Sequence, residues 1–269
     1  MIDFKNISKL PVNEVKNFST KYEYNIETYI NNNELNEFLL ILKRDQRKGI
    51  QNIYKKLTNI ERNFRLELQR VEKLYDYDRS FKNVRYIAGV DEVGRGPLAG
   101  PIVGAAVILD LHKIIPYIND SKKIKEKKRE ELSSIIKKSA IDYNIVEVSN
   151  TEIDSNGIAV SNNEIFIQAL GGLKVKPDLI LTDGYKIKGW NGALNKHIIK
   201  GDSTSASIAC ASIIAKVYRD TLMKEYHEIY PMYKFNKNVG YGTKDHIEAI
   251  KEYGLCKIHR TSFLSSLGY

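Results

Sequence analysis

The sequence has few of the residues that build disulfide frameworks or zinc sites. It contains two cysteines among 269 residues, Cys210 and Cys256, and they lack C-x-x-C spacing. Small secreted domains that depend on disulfides are much richer in cysteine, and structural zinc sites need several closely spaced ligands. We therefore expect both thiols to be reduced, and the pattern excludes a disulfide-stabilised fold and a cysteine-based zinc module.

Long apolar runs are also missing. No uninterrupted stretch reaches the roughly 20 apolar residues that a transmembrane helix needs. The opening residues, MIDFKNISKL, lack the basic and then apolar pattern of a secretory signal. These absences favour a cytoplasmic protein without a membrane partner. Hydrophobic residues make up 42% of the chain and charged residues 28%, which is typical of a globular protein with a real core.

The charge of the chain is strongly positive. Its formal net charge is +9 at pH 7. Such an excess favours polyanionic partners, nucleic acid first, although a basic protein without a nucleic-acid partner would show the same balance. The length allows either one large domain or two domains of ordinary size.

Residues 1–80 are predicted to form a helical N-terminal extension. From Ile50 onward, apolar residues recur at alternating steps of three and four, which places them on one face of a helix. Lys48, Lys55 and Arg62 recur every seven residues on a face turned away from that stripe. This basic face is either the solvated back of the helix or a strip that follows a phosphate backbone.

Residues 81–269 are predicted to form a separate α/β domain. Short, β-branched runs at 85–91 and 102–109, separated by a turn rich in glycine and proline, indicate paired strands. Strands that come first in a row and then alternate with helices predict a mixed β-sheet flanked by helices. Further strands are predicted at 141–149, 177–184 and 197–202, and helices at 120–140, 161–174 and 205–230.

Acidic residues stand at the ends of three predicted strands. Asp91 and Glu92 close the first strand, Asp183 closes LILTD and Asp202 closes HIIKGD. Because the ends of neighbouring strands meet at one edge of a sheet, we expect these four side chains around one cleft. Their mutual repulsion would be offset by Mg²⁺ or Mn²⁺, since both ions prefer carboxylate oxygens.

Each acid taken alone has a simpler interpretation. Asp202 precedes a helix and could cap it, and Asp183 before Gly184 could be a turn residue. In a regular strand Asp91 and Glu92 would point to opposite faces, so the strand would have to bend or end there. The joint pattern of three strand ends and four acids in a basic chain favours metal-dependent phosphoryl chemistry.

The run GVDEVGRGPLAGPIVGAAV, residues 89–107, resembles the signature opening of the ribonuclease HII family. The related ribonuclease HIII type lacks the arginine of the Gly-Arg-Gly stretch, so Arg95 favours HII. Some bacterial members carry a comparable helical N-terminal extension. Further landmarks of the family match in order over residues 85–269: NDSKKI at 119–124, LTDG at 181–184, KGDSTSASIACASIIAKVYRD at 200–220, GYGTKDH at 240–246 and HRTSF at 259–263.

The resemblance implies a ribonuclease H-like mixed β-sheet flanked by helices, and a metal-dependent endonuclease. The implied reaction cuts RNA in RNA–DNA hybrids, and duplex DNA on the 5′ side of a single ribonucleotide, leaving a 3′-hydroxyl and a 5′-phosphate. The family's metal-holding acids fall on Asp91, Glu92, Asp183 and Asp202, with Mn²⁺ or Mg²⁺ as cofactor. Two such ions about 3.5–4 Å apart can activate water and stabilise the leaving oxygen. We expect a monomer whose partners are these nucleic acids.

The resemblance also implies how ribonucleotides are read. In the family, the loop of Gly94, Arg95 and Gly96 reads the RNA–DNA junction, and a tyrosine that matches Tyr241 stacks on the adjacent deoxyribose. Glycine lets the main chain approach the 2′-hydroxyl, and a guanidinium can grip the neighbouring phosphate as a fork. The alternative for the two glycines is an ordinary tight turn.

Four further residues are expected at the phosphate backbone. Asn119, Ser121 and Lys122 resemble the family's phosphate contacts. Lys216 is expected to act likewise, or else to be an exposed lysine on a helix.

Two other functions compete with this hypothesis. A nuclease of the junction-resolvase type shares the fold and the acids, but it needs no 2′-hydroxyl and leaves Gly94-Arg95-Gly96 and Tyr241 unexplained. A non-catalytic hybrid-binding module should lack at least one of the four acids, and all four are present.

Overall fold

The structure is a computed structural model that describes residues 4–265, with only the backbone for residues 4–6. The described residues fall into two compact units that divide after Arg70. The domain boundary predicted between residues 80 and 81 stays a prediction. The first unit begins with a 3-10 helix, Phe4–Lys9, and continues with helices α1 (Val12–Tyr24), α2 (Ile26–Tyr29), α3 (Asn33–Arg44) and α4 (Lys48–Arg79), the last of which runs past the division.

The first unit is built on the apolar stripe that the sequence predicts. Ile50, Leu57 and Phe64 on α4 are buried. Lys55 and Arg62 are exposed and line a shallow depression of about 310 Å³ on the helix surface. The amphipathic helix is therefore confirmed, and its basic face is open to solvent.

The second unit contains a five-stranded sheet with the order β3-β2-β1-β4-β5. The β1–β2 and β2–β3 pairs are antiparallel, whereas β1–β4 and β4–β5 are parallel. This is the mixed sheet that the sequence predicts. The strands are β1 (Ile87–Val93), β2 (Ile102–Ile108), β3 (Asp142–Val148), β4 (Leu179–Asp183) and β5 (Leu194–Ile198).

Helices cover both faces of this sheet. Alternate residues of β2 separate into two cores, because successive side chains of a strand point to opposite faces. Val103 and Ala105 pack with α5 and α8, whereas Ile102 and Ala106 pack with α7. No helix in the described part of the chain is long and apolar enough to cross a membrane. The helices are α5 (Glu126–Ser139), α6 (Asn150–Asn156), α7 (Ile158–Gly171), α8 (Ala206–Ile229), α9 (Phe235–Asn238) and α10 (Lys244–Tyr253).

Two predicted strand ends are wrong. The strand predicted at 197–202 ends at Ile198, and Asp202 lies in a 3-10 helix, Gly201–Ser203. Lys200 adopts a left-handed conformation with φ of 58°, which turns the chain out of the strand. The first strand does not end at Asp91, since its ladder with β2 continues to Val93.

The alternative role of Asp202 as a helix cap is also wrong. Ser205 is the N-cap of α8, and its side chain accepts a hydrogen bond from the Ile208 amide. The Asp202 carboxylate is therefore not the cap of that helix.

The N-terminus of α8 packs directly on β1 at Gly89. A Cβ atom at Gly89 would lie 2.1 Å from the carbonyl carbon of Ser207. No side chain fits between the two backbones, so a glycine is required there. The contact holds α8 against the strand two residues before Asp91.

Replacing Gly89 by alanine should strongly destabilise the second unit. Because the new methyl group would meet backbone atoms, strand and helix must separate, at a cost of about 1–3 kcal/mol or more. Gly171→Ala is the matched control, since a Cβ there meets nothing within 4 Å. Urea unfolding followed by fluorescence of the single tryptophan, Trp190, would measure both variants. Equal midpoints for the two variants would contradict this packing argument.

Candidate active site

Carboxylates from separate segments meet at one end of the parallel β1–β4 pair. The ladder between these strands ends at Val90 and Thr182, so Asp91 and Asp183 follow at the same edge. The backbone amide of Gly201 donates to Asp183 Oδ1 at 2.7 Å, which holds the turn containing Asp202 beside β4. Because β1 extends beyond its ladder with β4, Glu92 reaches this edge without a break in the strand.

The pKa values of the carboxylates show how closely they are placed. Asp91 is 6% exposed, and burial raises its pKa well above the ordinary range, helped by the charges of Glu92 and Asp183. Burial likewise raises the pKa of Glu92 to about 7. The guanidinium of Arg95, 3.8 Å from Glu92 Oε1, opposes that rise, and so does the charge of Lys122.

Asp120, which was not predicted from the sequence, is a fifth carboxylate in this cluster. Burial raises the pKa of Asp202, and the charges of Asp120 and Asp183 raise it further. The pKa of Asp183 is raised by burial, while the Gly201 amide and Lys122 oppose the rise. Asp120 stands within NDSKKI, so an acid inside a matched motif was the signal that could have revealed it.

The donors at this edge fit a divalent metal ion. They are all carboxylate oxygens, and buried Glu92 Oε2 has no hydrogen-bond partner. Among the described residues, no group of three or more His, Cys, Asp and Glu side chains is arranged so that it could already hold a metal ion. The carboxylates are thus close enough to repel one another without converging on one point. The cations nearby, among them Arg95 and Lys122, offset only part of this negative charge, because the pKa values of the acids stay raised.

The two glycines of the Gly-Arg-Gly loop differ in what they contact. Gly94 has φ of +96°, and a Cβ there would lie 2.3 Å from Nε of the buried Arg219. Gly94 is therefore needed by the protein's own packing. A Cβ at Gly96 would meet only the Tyr241 ring, at 3.8 Å. The open side of the loop thus lies at Gly96, facing a tyrosine that is 43% exposed.

Buried Arg260 holds the backbone of this loop. Its guanidinium donates to the carbonyl oxygens of Gly94 at 2.6 Å, Arg95 at 3.0 Å and Gly100 at 2.9 Å. Burial lowers its pKa to about 9, so the group stays charged at neutral pH. Arg260 stands in HRTSF, one of the matched family landmarks, but no role for the arginine follows from the motif alone.

Buried Arg219 joins the same loop to the segment that carries Tyr241. Its guanidinium donates to the carbonyl oxygens of Ala99 at 3.1 Å, Pro101 at 3.0 Å and Val239 at 2.9 Å. Arg219 and Arg260 thus bind six carbonyl groups of two chain segments. Sequence reasoning missed both residues, because arginine–carbonyl contacts leave no periodic pattern.

A pair of buried histidines also supports Tyr241. His246 Nδ1 lies 2.9 Å from the carbonyl oxygen of Tyr241, and His246 Nε2 lies 3.0 Å from Nε2 of His259. Burial lowers the pKa of His259 to about 4 and lowers that of His246, so both rings are neutral at neutral pH. These contacts give both histidines a structural role.

The predicted phosphate contacts lie in different environments. The Ser121 hydroxyl is buried and lies 3.0 Å from that of Ser212. Asn119 Oδ1 accepts from the Asp120 amide, whereas Lys122 is exposed and acts electrostatically on Glu92 and Asp183. The structure therefore brings Lys122 to the acids.

Lys216 is held by another ion pair. Its Nζ lies 2.6 Å from Oδ1 of Asp220, which also pairs with Arg129 at 3.1 Å. Arg129 in turn donates to the Ser121 carbonyl at 3.0 Å. Lys216 is half-buried in this network rather than a freely exposed helix lysine.

The sheet order, the parallel β1–β4 pair and the helices on both faces define the ribonuclease H-like class of α/β folds. A ribonuclease H2 structure from Pyrococcus horikoshii OT3 matches 66% of this chain and 93% of its own with a TM-score of 0.57 and 30% identity. The ribonuclease HII in a complex with PCNA from Archaeoglobus fulgidus matches 66% of this chain and 94% of its own, with a TM-score of 0.56 and 25% identity.

Sequence comparison identifies the family. A sequence model of ribonuclease HII matches residues 88–266, and a model of the ribonuclease HII N-terminal domain matches residues 25–82. Ribonuclease HII of Clostridium perfringens strain SM101 is 57% identical over 88% of both chains. That of Clostridium beijerinckii is 51% identical over 99% of this chain and 100% of its own. The chain belongs to the ribonuclease HII family and is an endonuclease of the ribonuclease H type, which implies dependence on a divalent metal ion.

In metal-free protein, Glu92 should make stability fall as the pH rises. An unfolded glutamate ionises near pH 4.5, whereas folded Glu92 holds its proton to about pH 7. Ionisation in this window therefore penalises the folded state, by roughly 3 kcal/mol in total. Glu92→Gln should show a shallower decline, because the raised pKa values of Asp91, Asp183 and Asp202 remain. Urea unfolding in EDTA between pH 4 and 8 would measure the difference, and parallel curves for the two proteins would contradict it.

Arg260→Lys should weaken substrate binding beyond its effect on stability. One ammonium group cannot reach all three carbonyls, so the loop should shift and KM should rise about tenfold. Leu264→Ala, a buried truncation in the neighbouring core, is the control. It should lower the unfolding midpoint without changing KM. Steady-state kinetics and melting curves would separate the effects, and an unchanged KM in Arg260→Lys would refute the positioning role.

Proposed function

We propose that this protein cuts duplex nucleic acid on the 5′ side of a ribonucleotide, in RNA–DNA hybrids and at single ribonucleotides in DNA, leaving a 3′-hydroxyl and a 5′-phosphate. The observation that carries the proposal is the position of the Gly-Arg-Gly loop beside the carboxylates. Arg95 lies 3.8 Å from Glu92, and Gly96 faces Tyr241. The loop that would recognise one 2′-hydroxyl therefore lies next to the carboxylates that would hold the metal for cleavage.

Asp91, Glu92, Asp183 and Asp202 would hold the metal, Mn²⁺ or Mg²⁺. When bound, the ions supply the positive charge that activates water and stabilises the leaving oxygen. The burial of Asp91 and Glu92 supports this assignment, because ionised carboxylates so placed need a counter-charge. Asp120, which acts on Asp202, would complete the anionic edge from the other side.

The loop and Tyr241 would discriminate RNA from DNA. Gly96 leaves its outer side free, so a sugar can approach the main chain at hydrogen-bond distance. Arg95 and the exposed Lys122 would meet the phosphates on either side of the cut. Tyr241, held through His246 and the backbone of its segment, would stack on the neighbouring sugar.

A single chain supplies every group named, so we propose a monomeric enzyme. Asn119, Ser121 and Lys216 would support the phosphate contacts chiefly by shaping the segment that presents Lys122. A duplex substrate of this kind lies inside the cell, so we also propose a cytoplasmic location.

Asp91→Asn should abolish cutting of a duplex that carries one ribonucleotide. The loss should exceed about 10³-fold, because an amide cannot supply the charge that the metal needs. Glu131→Gln, which changes an exposed acid of α5, is the matched control and should keep full activity. The assay compares labelled duplexes with and without the ribonucleotide, in Mg²⁺, Mn²⁺ and EDTA. Equal cleavage of the all-DNA duplex would favour a resolvase-type nuclease instead.

A further inference from the structure

Arg95 also lines a cavity. It measures about 220 Å³ and lies between α7 and the segment that follows β4. That volume suits part of one nucleotide rather than a larger ligand. None of the residues that line it is acidic, and they include Arg95, Asn162, Tyr185, Lys186 and Lys188.

The cavity carries exposed positive charge on a well-fixed segment. Lys186 and Lys188 are both exposed, and between them Ile187 is buried in the core. Asn163 on α7 binds the backbone of Lys188 twice, accepting from its amide at 2.7 Å and donating to its carbonyl at 3.1 Å. The Ile187 amide donates to Asn195 at 2.8 Å. These contacts fix the backbone from which both lysine side chains extend, and two neighbouring ammonium groups suit a phosphate group.

The cavity also offers an aromatic surface and an unpaired acceptor. Tyr185 is 52% exposed, and the Arg95 guanidinium lies 4.6 Å from the centre of its ring. Exposed aromatic rings beside cations are surfaces on which nucleotides stack. Asn162 is 6% exposed, and its buried Oδ1 has no hydrogen-bond partner. Such an oxygen is costly unless a donor reaches it.

We propose that this cavity is a subsite for one nucleotide that flanks the cleaved bond. Its phosphate would bind Lys186 and Lys188, its sugar or base would lie against Tyr185, and a hydroxyl or amino group would donate to Asn162. The inference rests on the proposed function, because a duplex bound at the Gly-Arg-Gly loop would bring the nucleotide there. Arg95 lies beside Glu92 and also lines the cavity, so one nucleic-acid strand would pass continuously from the carboxylates to the cavity.

The test is a charge-neutralisation scan. Duplexes with one ribonucleotide carry a single neutral methylphosphonate at successive positions, and binding is measured by fluorescence anisotropy in EDTA, which prevents cutting. The double variant Lys186→Ala/Lys188→Ala should bind the unmodified duplex about tenfold more weakly. At one flanking position, a methylphosphonate should weaken binding to the wild-type protein. The same methylphosphonate should not weaken binding to this variant any further.

The matched control is Lys174→Ala/Lys176→Ala. These exposed lysines have the same spacing and lie before β4, away from the cavity lining. Their loss lowers the net charge equally, so it should weaken binding by the same small factor at every scanned position. If Lys186→Ala/Lys188→Ala behaves in the same way, or does not weaken binding, the subsite is overturned.

Tyr185 and Asn162 supply an independent arm. Tyr185→Ala should weaken binding about fivefold or more, and Tyr185→Phe should not, because the ring face is kept. A second ribonucleotide placed at the flanking position, compared with deoxyribose there, shows whether the donor to Asn162 is a 2′-hydroxyl or a base amino group. The scan repeated on an all-DNA duplex tests the subsite separately from ribonucleotide recognition. A retained position-specific effect there, with equal affinity for both duplexes, would reject ribonucleotide recognition and keep the subsite.

Discussion

Burial of neighbouring carboxylates at the end of β1 and β4 is the constraint that organises the functional end of this fold. Asp91 is 6% exposed and interacts with both Glu92 and Asp183. The protein itself supplies opposing charges from Arg95, at 3.8 Å from Glu92, from Lys122, and from Lys123, whose Nζ lies 3.7 Å from Asp120 Oδ2. All three cations are at least partly exposed, whereas Asp91 is buried among the other acids, and an unbalanced buried charge is expensive. The edge is therefore stable in its ionised form only when cations are added.

The same end of the domain contains two buried arginines, and their charged groups bind backbone carbonyls rather than the carboxylates. Arg219 and Arg260 are both fully buried, and the hydrogen bonds described above run from their guanidinium groups to backbone carbonyls. Planar guanidinium groups can satisfy several carbonyls at once, which a lysine cannot do. Their rigidity also explains Gly94, whose missing side chain makes room for Arg219. The Gly-Arg-Gly sequence thus combines one glycine that the interior needs with another that leaves the surface open.

Much of this arrangement was predictable from local patterns. Periodicity predicts the amphipathic α4 and the mixed sheet. The chemistry of strand ends predicts that Asp91, Glu92 and Asp183 lie at the same edge. The element that carries Asp202 was not predictable, because a single left-handed residue, Lys200, ends β5 early. Arg219, Arg260 and Asp120 act through contacts between distant segments. No spacing along the chain encodes such contacts, so only the folded structure reveals them.

The residues expected at the phosphate backbone show how roles shift once packing is known. Lys216 is bound to Asp220, which also holds Arg129, and Arg129 donates to the Ser121 carbonyl. A lysine paired in this way has already offset its charge, so its contribution to an incoming phosphate is reduced. The network instead fixes the backbone from which Lys122 extends. Lys122 and Arg95 are both close enough to lower the pKa of Glu92, and in the proposed function these two cations would attract the substrate phosphate. Under the proposed function these cations oppose the carboxylates before substrate arrives, so a phosphate that drew them away would leave the acids more dependent on metal. Binding of nucleic acid and of divalent ions should therefore favour one another at this edge.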